Sequence, residues 1–141
     1  MSYLTDIQVR FSDTDALGHL NNTAYALYAE QARVDLLGEL GQRGNLILAH
    51  IALDFLKQTR FGERVRVQTL VERVGRSSIT LYQAIEAEGE TVAEVRSVVV
   101  MFDFGAQKSV PVPDALREAL GRYARPTPAP DLPASSPAST G

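Results

Sequence analysis

The chain has no cysteine, which excludes disulfides, thiolate metal ligands and a cysteine nucleophile, and fits a reducing compartment. It has only two histidines, His19 and His50, far apart in sequence, so no histidine-built metal centre is expected. All seven prolines stand at Pro111 or beyond, and the segment before them holds no residue that breaks a strand ladder. No uninterrupted apolar run approaches the roughly 20 residues that span a bilayer. Met1 to Arg10 alternates polar with apolar residues, unlike a signal peptide. The formal net charge of −3 argues against nucleic acid or an anionic membrane as the main partner. Also absent are a nucleotide-type glycine-rich loop, a Gly-x-Ser-x-Gly elbow and an internal repeat. The expectation is a soluble, cytoplasmic protein, its 141 residues enough for one domain with a real core.

What is present centres on Asp13 to Leu40. Two carboxylates and turn formers open the stretch, and Asn21-Asn22 is suited to capping a helix. Tyr25, Tyr28, Ala32, Leu36 and Leu40 then recur at the spacing of one helix face. Leu27, Val34 and Leu37 widen the apolar stripe, so the helix is expected to be wrapped on most sides. Glu30 and Arg33, three apart, are expected to pair on its solvent-facing edge. Gly38, Gly41 and Gly44 mark its end.

Strands surround it. Thr5, Ile7, Val9 and Phe11 alternate with polar residues, as does the set Ile47, Ala49, Ile51, Leu53 and Phe55 with its neighbours. Val65, Val67, Thr69 and Val71 face inward on a third strand, and Ile79, Leu81, Ile85 and Ala87 on a fourth. Glu88-Gly89-Glu90 turns into a fifth, Val92 to Phe104. That last strand is apolar on both faces from Val98 to Phe102, which predicts the helix on one side and a partner subunit on the other. Asp114 to Tyr123 reads as a short helix. From Arg125 to Gly141 the chain is Pro, Ala, Ser and Thr with little apolar bulk, a disordered tail. The whole is an α+β pattern, a curved antiparallel sheet around a helix, with open edges that predict at least a dimer.

Asp15 is the first candidate for chemistry. Its short loop (Ala16, Gly18) delivers the chain into a helix N-terminus, which presents unpaired N–H groups and partial positive charge. A carboxylate beside that pole can attack a carbonyl or activate water while the N–H groups hold the oxyanion. The bland alternative is that Asp13 and Asp15 are only loop or capping carboxylates. His19 either orients such a group or is a loop histidine bonded to backbone. Asn22 either caps the helix or offers its N–H to a substrate. His50, four residues from Asp54 on one strand, is read as structural. Gly75-Arg76-Ser77-Ser78 offers a cation, hydroxyls and backbone donors for a phosphate, or is a solvated turn.

The run Arg10-Phe11-Ser12-Asp13-Thr14-Asp15-Ala16-Leu17-Gly18-His19-Leu20-Asn21-Asn22, followed by Tyr25, Tyr28, Glu30, Ala32 and Arg33, resembles a known signature. It is that of hotdog-fold acyl-CoA thioesterases of the 4-hydroxybenzoyl-CoA thioesterase type, a signature shared with acyl-carrier-protein thioesterases. Leu53 to Lys57, the turn at Gly62, Gly75 to Ser78 and the strand Val98 to Phe104 follow in the family's order, so the likeness covers residues 3 to 123. It implies a five-stranded sheet wrapped around a long central helix within residues 1–124. It also implies dimers, often tetramers, with active sites at the dimer interface.

By the same resemblance Asp15 is the catalytic carboxylate, nucleophile or general base, and the N–H near Asn22 polarises the thioester carbonyl. Lys57, Arg60, Arg76, Ser77 and Ser78 are the matching candidates for the CoA phosphates. CoA is then part of the substrate, and no cofactor or metal is implied. The chain departs from relatives that carry His or Tyr at Asn22, so that the auxiliary role either passes to His19 or is lost. It also departs where Lys57-Gln58 replaces a common proline. Two other functions compete for the same residues: hydratase or dehydratase chemistry on an acyl thioester, whose relatives use a different His–carboxylate motif, and simple acyl-CoA binding without catalysis.

Overall fold

Helix α1 (Asn22–Glu39) packs against one face of an antiparallel sheet in a computed structural model that describes residues 1–126. The strands are β1 (Tyr3–Ile7), β2 (Leu46–Phe55), β3 (Val65–Val74), β4 (Ser78–Ala87) and β5 (Glu90–Asp103), in the spatial order β1-β3-β4-β5-β2. A two-residue strand β6 (Lys108–Ser109) pairs with the end of β5, and α2 (Asp114–Gly121) follows. This is the expected hotdog arrangement. The β4–β5 hairpin closes through Glu88 and Gly89, both at positive φ, the backbone that matches the twist of two tightly joined strands. No helix among the described residues is long and apolar enough to cross a membrane.

The inward faces make two apolar clusters. One gathers Tyr25, Tyr28, Ala29 and Ala32 of α1 with Val65, Val67, Ile85 and Val95. The other joins Leu37 to Val71, Ile79, Leu81, Val99 and Met101, with Leu116 and Leu120 of α2 as a lid. Between them Gln83 is fully buried, and its Nε2 donates to the Ala29 carbonyl oxygen at 2.9 Å and to Thr69 Oγ1 at 3.1 Å. These bonds pin the helix to the sheet where apolar contact alone would let it slide.

Four expectations are corrected. Phe11 does not extend β1: it opens a 3₁₀ turn (Phe11–Asp13) and is exposed, because the buried Asp13 carboxylate folds the chain back onto Arg10. In β2 a bulge at Ala49 shifts the alternation by one, so the inward side chains are Leu46, Leu48, Ile51, Leu53 and Phe55, and Ile47 faces out. Leu27 and Val34 are exposed, so α1 is wrapped on the sheet side only. Arg33 lies inside, 5 % exposed, and forms no ion pair with Glu30.

The expected tail lies outside the described residues from 127 onward. Its first residue, Arg125, is bound: the guanidinium sits 3.6 Å above the Tyr82 ring and 2.9 Å from Glu72 Oε2, and the N–H donates to the Val71 carbonyl oxygen at 2.7 Å.

Candidate active site

The segment from Asp13 to Asn22 folds as a miniature hairpin. Thr14 bridges Leu20, the Asp15 N–H donates to the His19 carbonyl oxygen at 2.8 Å, and the Gly18 N–H returns to the Asp15 carbonyl oxygen at 3.2 Å. Gly18 makes the turn at φ +84, a conformation that a side chain would strain. Asp15 closes the turn with its own carboxylate: Oδ1 accepts the N–H groups of Leu17 at 2.8 Å and His19 at 3.1 Å. No protein donor among the described residues reaches Oδ2.

The hairpin is anchored at its foot. Asp13 Oδ2 accepts the Tyr28 hydroxyl at 2.7 Å and the Arg10 N–H at 3.0 Å, and Oδ1 accepts Arg10 Nη2 at 3.0 Å. The Asn21 N–H donates to the Asp13 carbonyl oxygen at 2.8 Å. On the other side Leu20 donates to the Thr59 carbonyl oxygen at 2.7 Å, and the buried Thr59 hydroxyl meets the Tyr25 hydroxyl at 3.1 Å. The two carboxylates of the Asp13-Thr14-Asp15 run therefore differ. Asp13 is buried and spent on structure; Asp15 is exposed at the loop's working end.

Helix α1 begins beside it. Asn21 is the N-cap, but its side chain makes no capping hydrogen bond, so neither asparagine side chain closes the terminus as the capping alternative required. The N–H groups of Asn22 and Thr23 have no hydrogen-bond partner among the described residues, whereas that of Ala24 returns to the Asn21 carbonyl oxygen at 2.9 Å. The first turn carries no acidic residue, which leaves the positive pole unneutralised. The terminus opens into a cleft of about 450 Å³ whose walls include Asp15, His19, Asn22, Tyr25, Phe55 and Lys57.

The electrostatics separate the two acids further. Hydrogen bonds from the Leu17 N–H, and then from His19, hold the Asp15 carboxyl below the usual carboxylate range. Burial pushes Asp13 up, but the N–H of Arg10, the Tyr28 hydroxyl and the Arg10 guanidinium together pull it below that range. The same bond, after burial, raises the Tyr28 hydroxyl. His19 Nδ1 is enclosed with no hydrogen-bond partner. Lys57 forms an ion pair with Glu90 at the rim.

Asp15, His19, Asn22 and Lys57, singled out from sequence, thus share one cleft, and Arg60 lies next to it through a bridge to His19. Arg76, Ser77 and Ser78 do not. Ser78 lies opposite Val100, whereas the cleft wall Phe55 lies opposite Ala93; from Ala93 to Val100 is roughly 23 Å along β5. That turn is tied instead to the α2 end, with Val112 donating to the Arg76 carbonyl oxygen at 2.7 Å and Arg117 Nη2 to that of Gly75 at 3.0 Å. Tyr25, Phe55, Leu56 and Gln58 are cleft residues that sequence reasoning missed. Tyr25 was detectable, three residues beyond Asn22 and so on its face of the helix; the others reach the cleft only through the fold.

A free carboxylate oxygen beside unpaired N–H donors can take a proton from water or attack an acyl carbon, while the donors stabilise the charge on the carbonyl oxygen. Several known proteins are similar to this chain. The Bacillus subtilis protein YsmA is 30% identical over 125 residues, covering 84% of this chain and 85% of its own. The structure of a predicted thioesterase from Bacillus stearothermophilus superposes with a TM-score of 0.82 at 31% identity, covering 89% of this chain and 98% of that one. A Thermus thermophilus thioesterase complexed with coenzyme A and Zn gives 0.76 at 30% identity, covering 83% and 95%. Residues 9–120 match the family described as the thioesterase-like superfamily, and to that family this chain belongs.

Proposed function

We infer that this protein hydrolyses acyl-CoA thioesters to a free acid and CoA. The observation that carries this reading is the juxtaposition of the unpaired Asp15 Oδ2 and the first N–H groups of α1 in one open cleft. Asp15 acts in one of two ways. As general base it takes a proton from water as the water oxygen bonds to the carbonyl carbon. As nucleophile it forms a mixed anhydride that water then cleaves. Either way the C–S bond breaks and the sulfur leaves as CoA thiolate, which is protonated. The Asn22 N–H holds the developing oxyanion, and His19, in the wall of the same cleft, orients the carbonyl or the water.

Lys57 and Arg60 lie near enough to meet the CoA phosphates from the same copy. Arg76, Ser77 and Ser78 sit at the far end of the sheet, and a second copy brings them close. β2 pairs only with β5, so its outer edge is free; two copies joined antiparallel along that edge would set the β3–β4 turn of one beside the Phe55 end of the other. The active form is accordingly a homodimer, associating further as a homotetramer through the half-buried Val98, Val100 and Phe102 on the outer face. It acts in the cytoplasm on soluble acyl-CoA or acyl-carrier-protein, without cofactor, nucleic acid or membrane.

The test is thiol release from acyl-CoA substrates of graded chain length, an aryl-CoA included, followed with a thiol reagent. The wild-type protein releases thiol, and Asp15→Asn loses about a hundredfold or more in kcat while remaining folded. Saturable binding without release would assign a binding module instead, and full activity in Asp15→Asn would refute the assigned chemistry.

A further inference from the structure

Of the two cations at the Asp15 cleft, one is already engaged. Lys57 lines the cleft, yet its Nζ forms an ion pair with a carboxylate oxygen of Glu90, which does not line it. Arg60, joined to His19 by a backbone bridge, forms no ion pair among the described residues. An arriving anion therefore finds Arg60 free, and reaches the Lys57 amine only by displacing Glu90.

The backbone keeps acid and amine together. The N–H groups of Leu56 and Lys57 both donate to the Val92 carbonyl oxygen, at 2.8 and 3.1 Å, which holds the stem of Lys57 against the start of β5. Glu90 is the first residue of that strand, set there by the turn through Glu88 and Gly89. Its carboxylate thus stays within reach of the amine.

The bond between them is still easily exchanged. Both side chains are more than half exposed, and an exposed ion pair is weakened by water and salt. Glu90 offers one negative charge. A phosphomonoester carries about 1.5–2 at neutral pH, with three acceptor oxygens, so a phosphate at Lys57 displaces the carboxylate. A ligand without phosphate leaves the pair as it is.

We propose that Glu90 is a built-in competitor for the Lys57 amine, standing where a substrate phosphate binds and yielding only to a phosphate-bearing thiol carrier such as CoA. This rests on the hydrolase reading for its substrate. Glu90 touches no reacting atom: it sets specificity through Lys57.

Thiol-release kinetics and calorimetric binding of CoA test this on the full chain with the wild type, Glu90→Gln, Lys57→Met and the double variant. The substrates are an acyl-CoA and the pantetheine thioester of the same acid, which has no phosphate. Glu90→Gln is expected to lower KM for the acyl-CoA, and Kd for CoA, by about two- to fivefold, with KM for the pantetheine thioester unmoved. In the Lys57→Met background the same change is expected to alter neither. An acyl-CoA KM unchanged or raised by Glu90→Gln, a fall shared equally by the pantetheine thioester, or a fall that persists without Lys57 would each overturn the proposal. Thiol release with no such split between substrates overturns this inference and leaves the hydrolase reading standing. CoA binding tightened by Glu90→Gln only when Lys57 is present, with no thiol released from either substrate, does the reverse.

Discussion

The Tyr28 hydroxyl stands 2.7 Å from Asp13 Oδ2, a donor within helix α1 closing on the carboxylate at the foot of the loop that carries Asp15. Neither side chain lines the Asp15 cleft. Their bond sets where the loop leaves the helix, and so the position of Asp15 relative to the N–H groups of α1.

Tyr28→Phe removes that donor and leaves a buried carboxylate with fewer partners. A hydrogen bond to a charged group is worth about 1.5–3 kcal/mol, and the variant is expected to lose stability in that range in urea unfolding. Its kcat should fall several-fold through a looser Asp15 loop. A stability change under about 0.5 kcal/mol would show that the bond does not hold the loop.

Acid stability should report Asp13. Its folded pKa lies below the unfolded value of 3.8, so its contribution is complete above that value and disappears as pH falls through the folded pKa. Unfolding free energy followed between about pH 6 and pH 2 should drop most steeply below 3.8. In Asp13→Asn that part of the drop should shrink, and stability near neutrality should be lower than in the wild type. An unaltered acid profile in Asp13→Asn would contradict the bonding described here.

Asp15 should set the acidic limb of activity. Its carboxyl is held below the ordinary 3.8 by the Leu17 and His19 N–H groups, so it is ionised throughout the neutral range and is lost as base or nucleophile only below that value. The kcat/KM profile of the free enzyme should therefore show its carboxylate limb under 3.8. A limb well above it would assign the essential ionisation to another group.

Mixing variants separates one-chain from two-chain sites. If Arg76 serves the neighbouring copy, a dimer of one Asp15→Asn chain and one Arg76→Ala chain contains one site with both residues intact. Activity at limiting acyl-CoA should then recover on mixing to well above that of either parent. If both residues act within one chain, neither site is complete and mixing restores nothing.

Much of the fold was legible because its signals are local. Alternation at Val65, Val67, Thr69 and Val71, the helical spacing of Tyr25, Tyr28, Ala32 and Leu36, and the Glu88-Gly89 turn each follow from a few neighbouring residues. The failures occur where a local pattern meets a distant constraint. The inward set of β2 shifted at Ala49 because that residue bulges out of register, with Leu48 opposite Val99 and His50 opposite Val98. Arg33 looked like a surface residue because spacing gives a face but not its environment. Phe11 left the strand because Asp13 binds back to Arg10 and across to Tyr28.

Residue order by itself determined that a carboxylate on a short glycine-containing loop leads into a long helix, since turn chemistry and helix periodicity act over a few residues. It could not distinguish Asp13 from Asp15. Only tertiary packing did that, burying one under three donors and leaving the other with a free oxygen in the cleft, because burial and hydrogen-bond partners are properties of what the fold brings near. For the same reason it was the sheet, not the spacing of charges, that put Lys57 beside Asp15 and carried Arg76 to the opposite end.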